Sequence, residues 1–125
     1  MNGPVRVLLV DDEPDFLEIT AKRLGRRGYQ VQTATSCLQG IKALEAGGAD
    51  VIILDVMLPE TDGIECLKKI RRLFPECAVI LLTGHASVQT GLSGIAEGAD
   101  DYCLKPVEVE ELVDKIEIAR RDHGR

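Results

Sequence analysis

Five side chains with phosphate or metal chemistry stand at the ends of apolar runs. Asp11-Asp12-Glu13 follows Val7-Leu8-Leu9-Val10, and Asp55 follows Val51-Ile52-Ile53-Leu54. Thr83-Gly84 follows Ala78-Val79-Ile80-Leu81-Leu82, and Lys105-Pro106 follows a short run at 101–104. Three carboxylates brought within a few ångströms repel one another, so either some hold protons or a cation sits among them. An all-oxygen donor set suits a hard divalent ion, Mg²⁺ (or Mn²⁺) where phosphoryl chemistry follows. Asp55, entered from four apolar residues, is poised as a nucleophile, and carboxylates can form acyl phosphates. Lys105 and Thr83 supply an ammonium and a hydroxyl to hold phosphoryl oxygens. The plainer alternatives are that Asp11-Asp12-Glu13 caps the following helix, which needs only one acid, and that Lys105 is the salt-bridge partner of Asp55. The second is compatible with phosphoryl chemistry.

These residues need elements that bring them to one place. Val51-Ile52-Ile53-Leu54 and 78–82 are apolar without alternation, as strands buried on both faces of a parallel sheet read. Further strands are expected at about 5–10, 30–34 and 101–104. Between them lie helical stripes. Phe16, Leu17, Thr20, Ala21 and Leu24 form the first, with Pro14 in its first turn and Gly25 and Gly28 closing it. Ser36 caps a second that runs to about Ala46 and stops at Gly47-Gly48. Asp62 and Glu65 form a capping arrangement for a third, which carries Leu67, Ile70 and Phe74 and ends at Pro75. Val88, Leu92, Ile95 and Ala99 make a fourth, weakened by Gly91 and Gly94. The fifth spans about 107–121, acidic at its start and basic near its end, as the helix dipole favours. The pattern is (βα)₅: an α/β, doubly wound, five-stranded parallel sheet with helices on both faces. The carboxyl ends of its strands share one edge, where such sheets bind ligands.

The 125 residues are read as one domain, with a core over about 5–119 and a tail at 120–125. A net charge of −6, 3% aromatic residues and no Trp argue against direct nucleic-acid binding by this domain. No apolar run is long enough to cross a membrane. No signal peptide is read, so a cytoplasmic location is expected. Cys37, Cys66, Cys77 and Cys103 contain no CxxC pair, and His85 and His123 complete no zinc pattern. Reduced thiols acting as small apolar side chains are expected, with a redox sensor as the alternative. There is no P-loop, no dinucleotide fingerprint and no nucleophile elbow. A dehalogenase-like phosphatase would carry an Asp two residues after the nucleophile, where this chain has Met57.

In combination, four motifs resemble the receiver domain of two-component response regulators, the CheY-like family. They are Leu8-Leu9-Val10-Asp11-Asp12-Glu13, Ile53 to Pro59 with Asp62-Gly63, Leu82-Thr83-Gly84, and Gly98 to Tyr102 leading to Lys105-Pro106. The resemblance implies a flavodoxin-like strand order of 2-1-3-4-5, for which CheY is a standard example. It implies Asp55 as phosphoacceptor from a sensor histidine kinase or phosphotransfer protein. Asp11, Asp12, Asp55 and the Met57 carbonyl would hold the metal, and Lys105 would contact the phosphoryl oxygen. Thr83 and Tyr102 would be a switch pair, and Met57 and His85 would tune dephosphorylation. Pro106 would follow a cis bond, whereas base rates alone favour trans. Gly84 departs from the small side-chain-bearing residue more usual after the Thr. Such a domain would catalyse only its own phosphorylation and dephosphorylation. It would switch the face made by the fourth helix, fifth strand and fifth helix, through which a homodimer could form. A kinase would dock near Pro14, Asp15, Leu17 and Glu18. The alternatives are a phosphorylation-independent interaction module on the same fold, or a small phosphatase.

Overall fold

The computed structural model describes residues 3–58, 62–84 and 88–123. In chain order the elements are β1 (Arg6–Val10), α1 (Pro14–Arg26), β2 (Gln30–Ala34), α2 (Cys37–Ala46), β3 (Val51–Asp55), α3 (Gly63–Leu73), β4 (Ala78–Thr83), α4 (Val88–Ala96), β5 (Asp101–Leu104) and α5 (Val109–His123). The five strands form one parallel sheet in the order β2-β1-β3-β4-β5. Every residue of β3 and β4 is buried, as their unbroken apolar runs require of interior strands. β2 lies at an edge, and its exposed Gln30, Gln32 and Thr33 suit that place.

Alternate strand residues feed two cores, because successive side chains point to opposite faces. Leu8, Val10, Ile52, Leu54, Val79 and Leu81 pack with Leu44 of α2 and Cys66, Leu67 and Ile70 of α3. Val7, Leu9, Val51, Ile53, Ile80 and Leu82 pack with Leu17 and Leu24 of α1 and Leu112 and Ile116 of α5. Ser36 caps α2 as expected, its hydroxyl accepting from the Gln39 amide at 3.1 Å. Asp62 caps α3 by accepting from Ile64 N at 2.8 Å, while Glu65 turns outward to Lys68 at 3.2 Å.

α4 turns a different face inward from the one its apolar stripe suggests. Leu92 and Ile95 are exposed, and Gly94 faces the sheet. A Cβ on Gly94 would stand 2.0 Å from Leu81 Cδ1, so the helix approaches β4 at glycine distance and its larger apolar residues are left outside.

The expectation of four reduced thiols is corrected for two of them. Cys37 and Cys66 form a disulfide with a Cα separation of 6.0 Å. Each lies in the first turn of its helix, and α2 and α3 cover the same face of the sheet, so residues 29 apart in sequence become neighbours. Cys77 and Cys103 are free and buried.

Candidate functional site

The strand ends converge as the chain pattern requires. β3 runs one residue further than its apolar run, because Asp55 still pairs in register with Leu82. The ladders also continue past two other strands. The Asp11 amide donates to Ala34 O at 3.1 Å, and the Lys105 amide donates to Thr83 O at 2.8 Å. Carboxylate oxygens of Asp11, Asp12 and Asp55 lie within 4.8 Å of one another. Asp11 and Asp55 are buried and Asp12 is exposed.

Lys105 closes this cluster. Its ammonium lies 2.6 Å from Asp11 Oδ2, 3.1 Å from Glu13 Oε1 and 3.5 Å from Asp55 Oδ2. The second oxygens of both buried acids are held by the chain itself. Asp11 Oδ1 accepts from Glu13 N, and Asp55 Oδ1 accepts from Met57 N, each at 2.9 Å. Glu13 is the residue before α1, yet its side chain makes no cap bond. The acidic triplet therefore serves the lysine and the cluster rather than the helix. Lys105-Pro106 is cis.

Burial raises the Asp11 pKa above the ordinary 3.8. The Lys105 and Glu13 hydrogen bonds oppose this, and the Asp55 charge adds to it. Burial works to lower the Lys105 pKa, but hydrogen bonds to Asp11 and Glu13 and the Asp55 charge outweigh it, and the net shift is upward. Two buried carboxylates facing one shared ammonium form an electron-rich, all-oxygen set. That donor set fits a hard divalent cation such as Mg²⁺.

The raised Asp11 pKa gives a pH-dependent expectation. A carboxyl that holds its proton more tightly when folded contributes stability that is complete below about pH 4 and declines as pH rises through the folded-state value. Asp11→Asn, neutral at every pH, should therefore melt above the parent at pH 7 in chelator. The advantage should shrink toward pH 4. Thermal unfolding across that range checks it, and a variant melting below the parent at pH 7 would show that the Lys105 pair dominates.

The remaining predicted residues surround the cluster. Thr83 is fully buried at the end of β4, its hydroxyl 3.3 Å from Gly84 O. Among the described residues, no atom beyond its chain neighbours lies within 4 Å of where a Cβ on Gly84 would stand. Tyr102 is half-buried on β5, and Lys115 of α5 lies 5.9 Å from its ring centroid and donates to its carbonyl at 3.0 Å. Met57 is 69% exposed. His85 lies outside the described residues, as do the last two residues of the tail. Among the residues expected at a docking surface, Pro14, Asp15 and Glu18 are exposed, but Leu17 is buried in the core beneath α1.

Sequence reading missed two partners of Lys105. Glu13 appears there only as one of three acids, and Phe16 only as part of a core stripe. The Lys105 ammonium lies 4.7 Å from the Phe16 ring centroid. The signal available was their spacing: positions three apart at a helix start share one face.

Comparison with known proteins identifies the family. The family model for the response regulator receiver domain matches residues 7–117. The transcriptional regulatory protein TrcR of Mycobacterium tuberculosis is 39% identical over 114 residues, which cover 91% of this chain and 44% of that protein. The chain thus spans about half the length of the curated relatives it matches. A receiver domain from Clostridium thermocellum superposes with a TM-score of 0.88 at 32% identity, covering 94% of this chain and 95% of that one. A response regulator from Burkholderia pseudomallei, solved with a phosphorylated aspartic acid and a calcium ion, superposes with a TM-score of 0.85 at 29% identity. That match covers 94% of this chain and 69% of the other. With its (βα)₅ fold in the order 2-1-3-4-5 and this family match, the chain belongs to the response regulator receiver domains of two-component systems.

Proposed function

We propose that this domain accepts a phosphoryl group on Asp55 from the phosphohistidine of a sensor histidine kinase or phosphotransfer protein. In that step the P–N bond to histidine breaks and a P–O bond to the Asp55 carboxylate forms. The observation that carries the reading is the placement of Asp55. It is a buried carboxylate whose Oδ1 is fixed by Met57 N at 2.9 Å, while Oδ2 faces the Lys105 ammonium at 3.5 Å. Asp11, Asp12 and Asp55, with the Met57 carbonyl, would hold Mg²⁺ or Mn²⁺. The ion would supply positive charge for the phosphoryl oxygens. Lys105 supplies a second positive charge from the protein itself.

The solved Burkholderia relative, with its phosphorylated aspartic acid, supports the acceptor chemistry. Thr83 and Tyr102 form the proposed switch pair, biased by the new dianionic group. The output face would be α4, β5 and α5, through which a second copy could bind, and a cytoplasmic setting accords with such a partner. The domain would turn over no external metabolite.

The test is incubation with Mg²⁺ and acetyl phosphate followed by intact-mass analysis. The parent should gain the mass of one phosphoryl group, and Asp55→Asn should gain none. Equal modification of parent and D55N would sink the assignment.

A further inference from the structure

Lys105 is held from more than one side. Its three charged neighbours are Asp11, Glu13 and Asp55, and two of these are also the buried members of the carboxylate cluster. Any cation the cluster takes would draw on the same carboxylates that now bind the lysine. A lysine stem is long and rotamer-rich, so side-chain entropy favours its release into solvent. Beside Lys105 there is room for such release. A cavity of about 510 Å³ is lined by Glu13, Phe16, Gly84, Lys105, Pro106 and Val107.

Phe16 lines that cavity, and its ring centroid lies 4.7 Å from Nζ, inside the range of a cation–π contact. The ring is well anchored. Phe16 is the third residue of α1, follows Pro14 at the helix start, and packs on the core formed with Leu17 and Leu24. An uncharged ring does not compete for metal or phosphoryl groups. Its attraction for the ammonium persists whatever the carboxylates are doing.

We propose that Phe16 is the positioning residue of the phosphoryl site, holding the Lys105 ammonium over the carboxylate cluster through its ring face. The functional half of this inference rests on Asp55 being the phosphoacceptor. The structural half, a lysine ordered by an aromatic face, stands apart from it. Phe16 itself touches no reacting atom and acts only through Lys105.

The experiment compares Phe16→Leu, which keeps apolar bulk and removes the ring, with Phe16→Tyr and Phe16→Trp, which keep a ring. The first readout is the NMR shift of the Lys105 Cε protons in the metal-free, unphosphorylated protein. The parent, F16Y and F16W should show an upfield ring-current shift that F16L lacks. The second is the rate of Asp55 modification by acetyl phosphate with Mg²⁺. F16L should be about fivefold slower, the scale of one cation–π contact, with F16Y and F16W close to the parent and all variants melting as cooperatively as the parent. An unshifted Lys105 in the parent, or F16L reacting as fast as the parent, overturns the inference. A shifted Lys105 in a parent that takes no phosphoryl group would instead overturn the phosphoacceptor reading and leave Phe16 as an anchor for the lysine alone.

Discussion

Gly63→Ala is expected to cost about 3 kcal/mol of stability and to lower the melting temperature by about 10 °C. A Cβ at this position would lie 2.2 Å from Val56 Cα and 2.7 Å from the Val56 carbonyl carbon and oxygen. Backbone cannot rotate aside as a side chain can. Here it is also pinned at both ends, since Val56 N donates to Leu82 O at 3.0 Å and Gly63 N donates to Val56 O at 3.1 Å. The start of α3 must move away, taking its Asp62 cap with it, or the residues after Asp55 must shift. Gly94→Ala makes an even closer contact, 2.0 Å, but with the tip of the Leu81 side chain, which can change rotamer. It should therefore cost less than Gly63→Ala. Thermal melts of the two variants check this ordering, and a G63A protein melting within a degree or two of the parent would contradict it.

Lys105→Met is expected to move two quantities in opposite directions. Phosphorylation of Asp55 by acetyl phosphate should slow by about 100-fold, the usual scale for removing one preorganised charge partner of a developing oxyanion. Divalent-cation affinity should rise. The ammonium now stands 2.6 Å from Asp11 and 3.5 Å from Asp55, so it repels an incoming cation and competes for the same carboxylates. A methionine keeps the stem and removes both effects. Calorimetric Mg²⁺ titration and single-turnover labelling measure the two separately. A variant that binds Mg²⁺ more weakly than the parent would show that Lys105 organises the carboxylates rather than competing for them.

The sheet and its layering were legible because burial on both faces leaves an unbroken apolar run. Val51 to Leu54 and Ala78 to Leu82 could be little else. Strand ends were less legible. Hydropathy stops at a polar residue, whereas the backbone ladder continues through Asp55 because amide pairing is indifferent to the side chain. The strand order came from likeness to a family, since no residue pattern states which strands are neighbours. The Asp11, Asp12, Asp55, Thr83 and Lys105 set could be read from position alone, each being polar at the end of a strand. Contacts depending on three-dimensional approach could not. These include the Cys37–Cys66 bond, the inward turn of Gly94, and the fit of Gly63 on Val56. The roles of Glu13 and Phe16 were hidden for a related reason, because a lysine 92 positions from Glu13 completes them.

The alternation of side chains along the strands divides the rim into two compartments. Asp55 keeps the parity of Val51 and Ile53 and so belongs to the α1 and α5 side. Asp11 and Lys105 keep the parity of Leu9 and Cys103, their amides still on the ladders of Ala34 and Thr83. Thr83 keeps the parity of Val79 and Leu81 on the other side, where Tyr102 also packs. The charged groups and the hydroxyl–aromatic pair thus stand back to back across one thickness of backbone. The two sides meet at the end of β4, whose Leu82 and Thr83 carbonyls accept from the amides of Val56 and Lys105. Deleting a single residue from β4 would exchange the faces of Thr83 and its neighbour. The hydroxyl would then stand on the same side as the carboxylates.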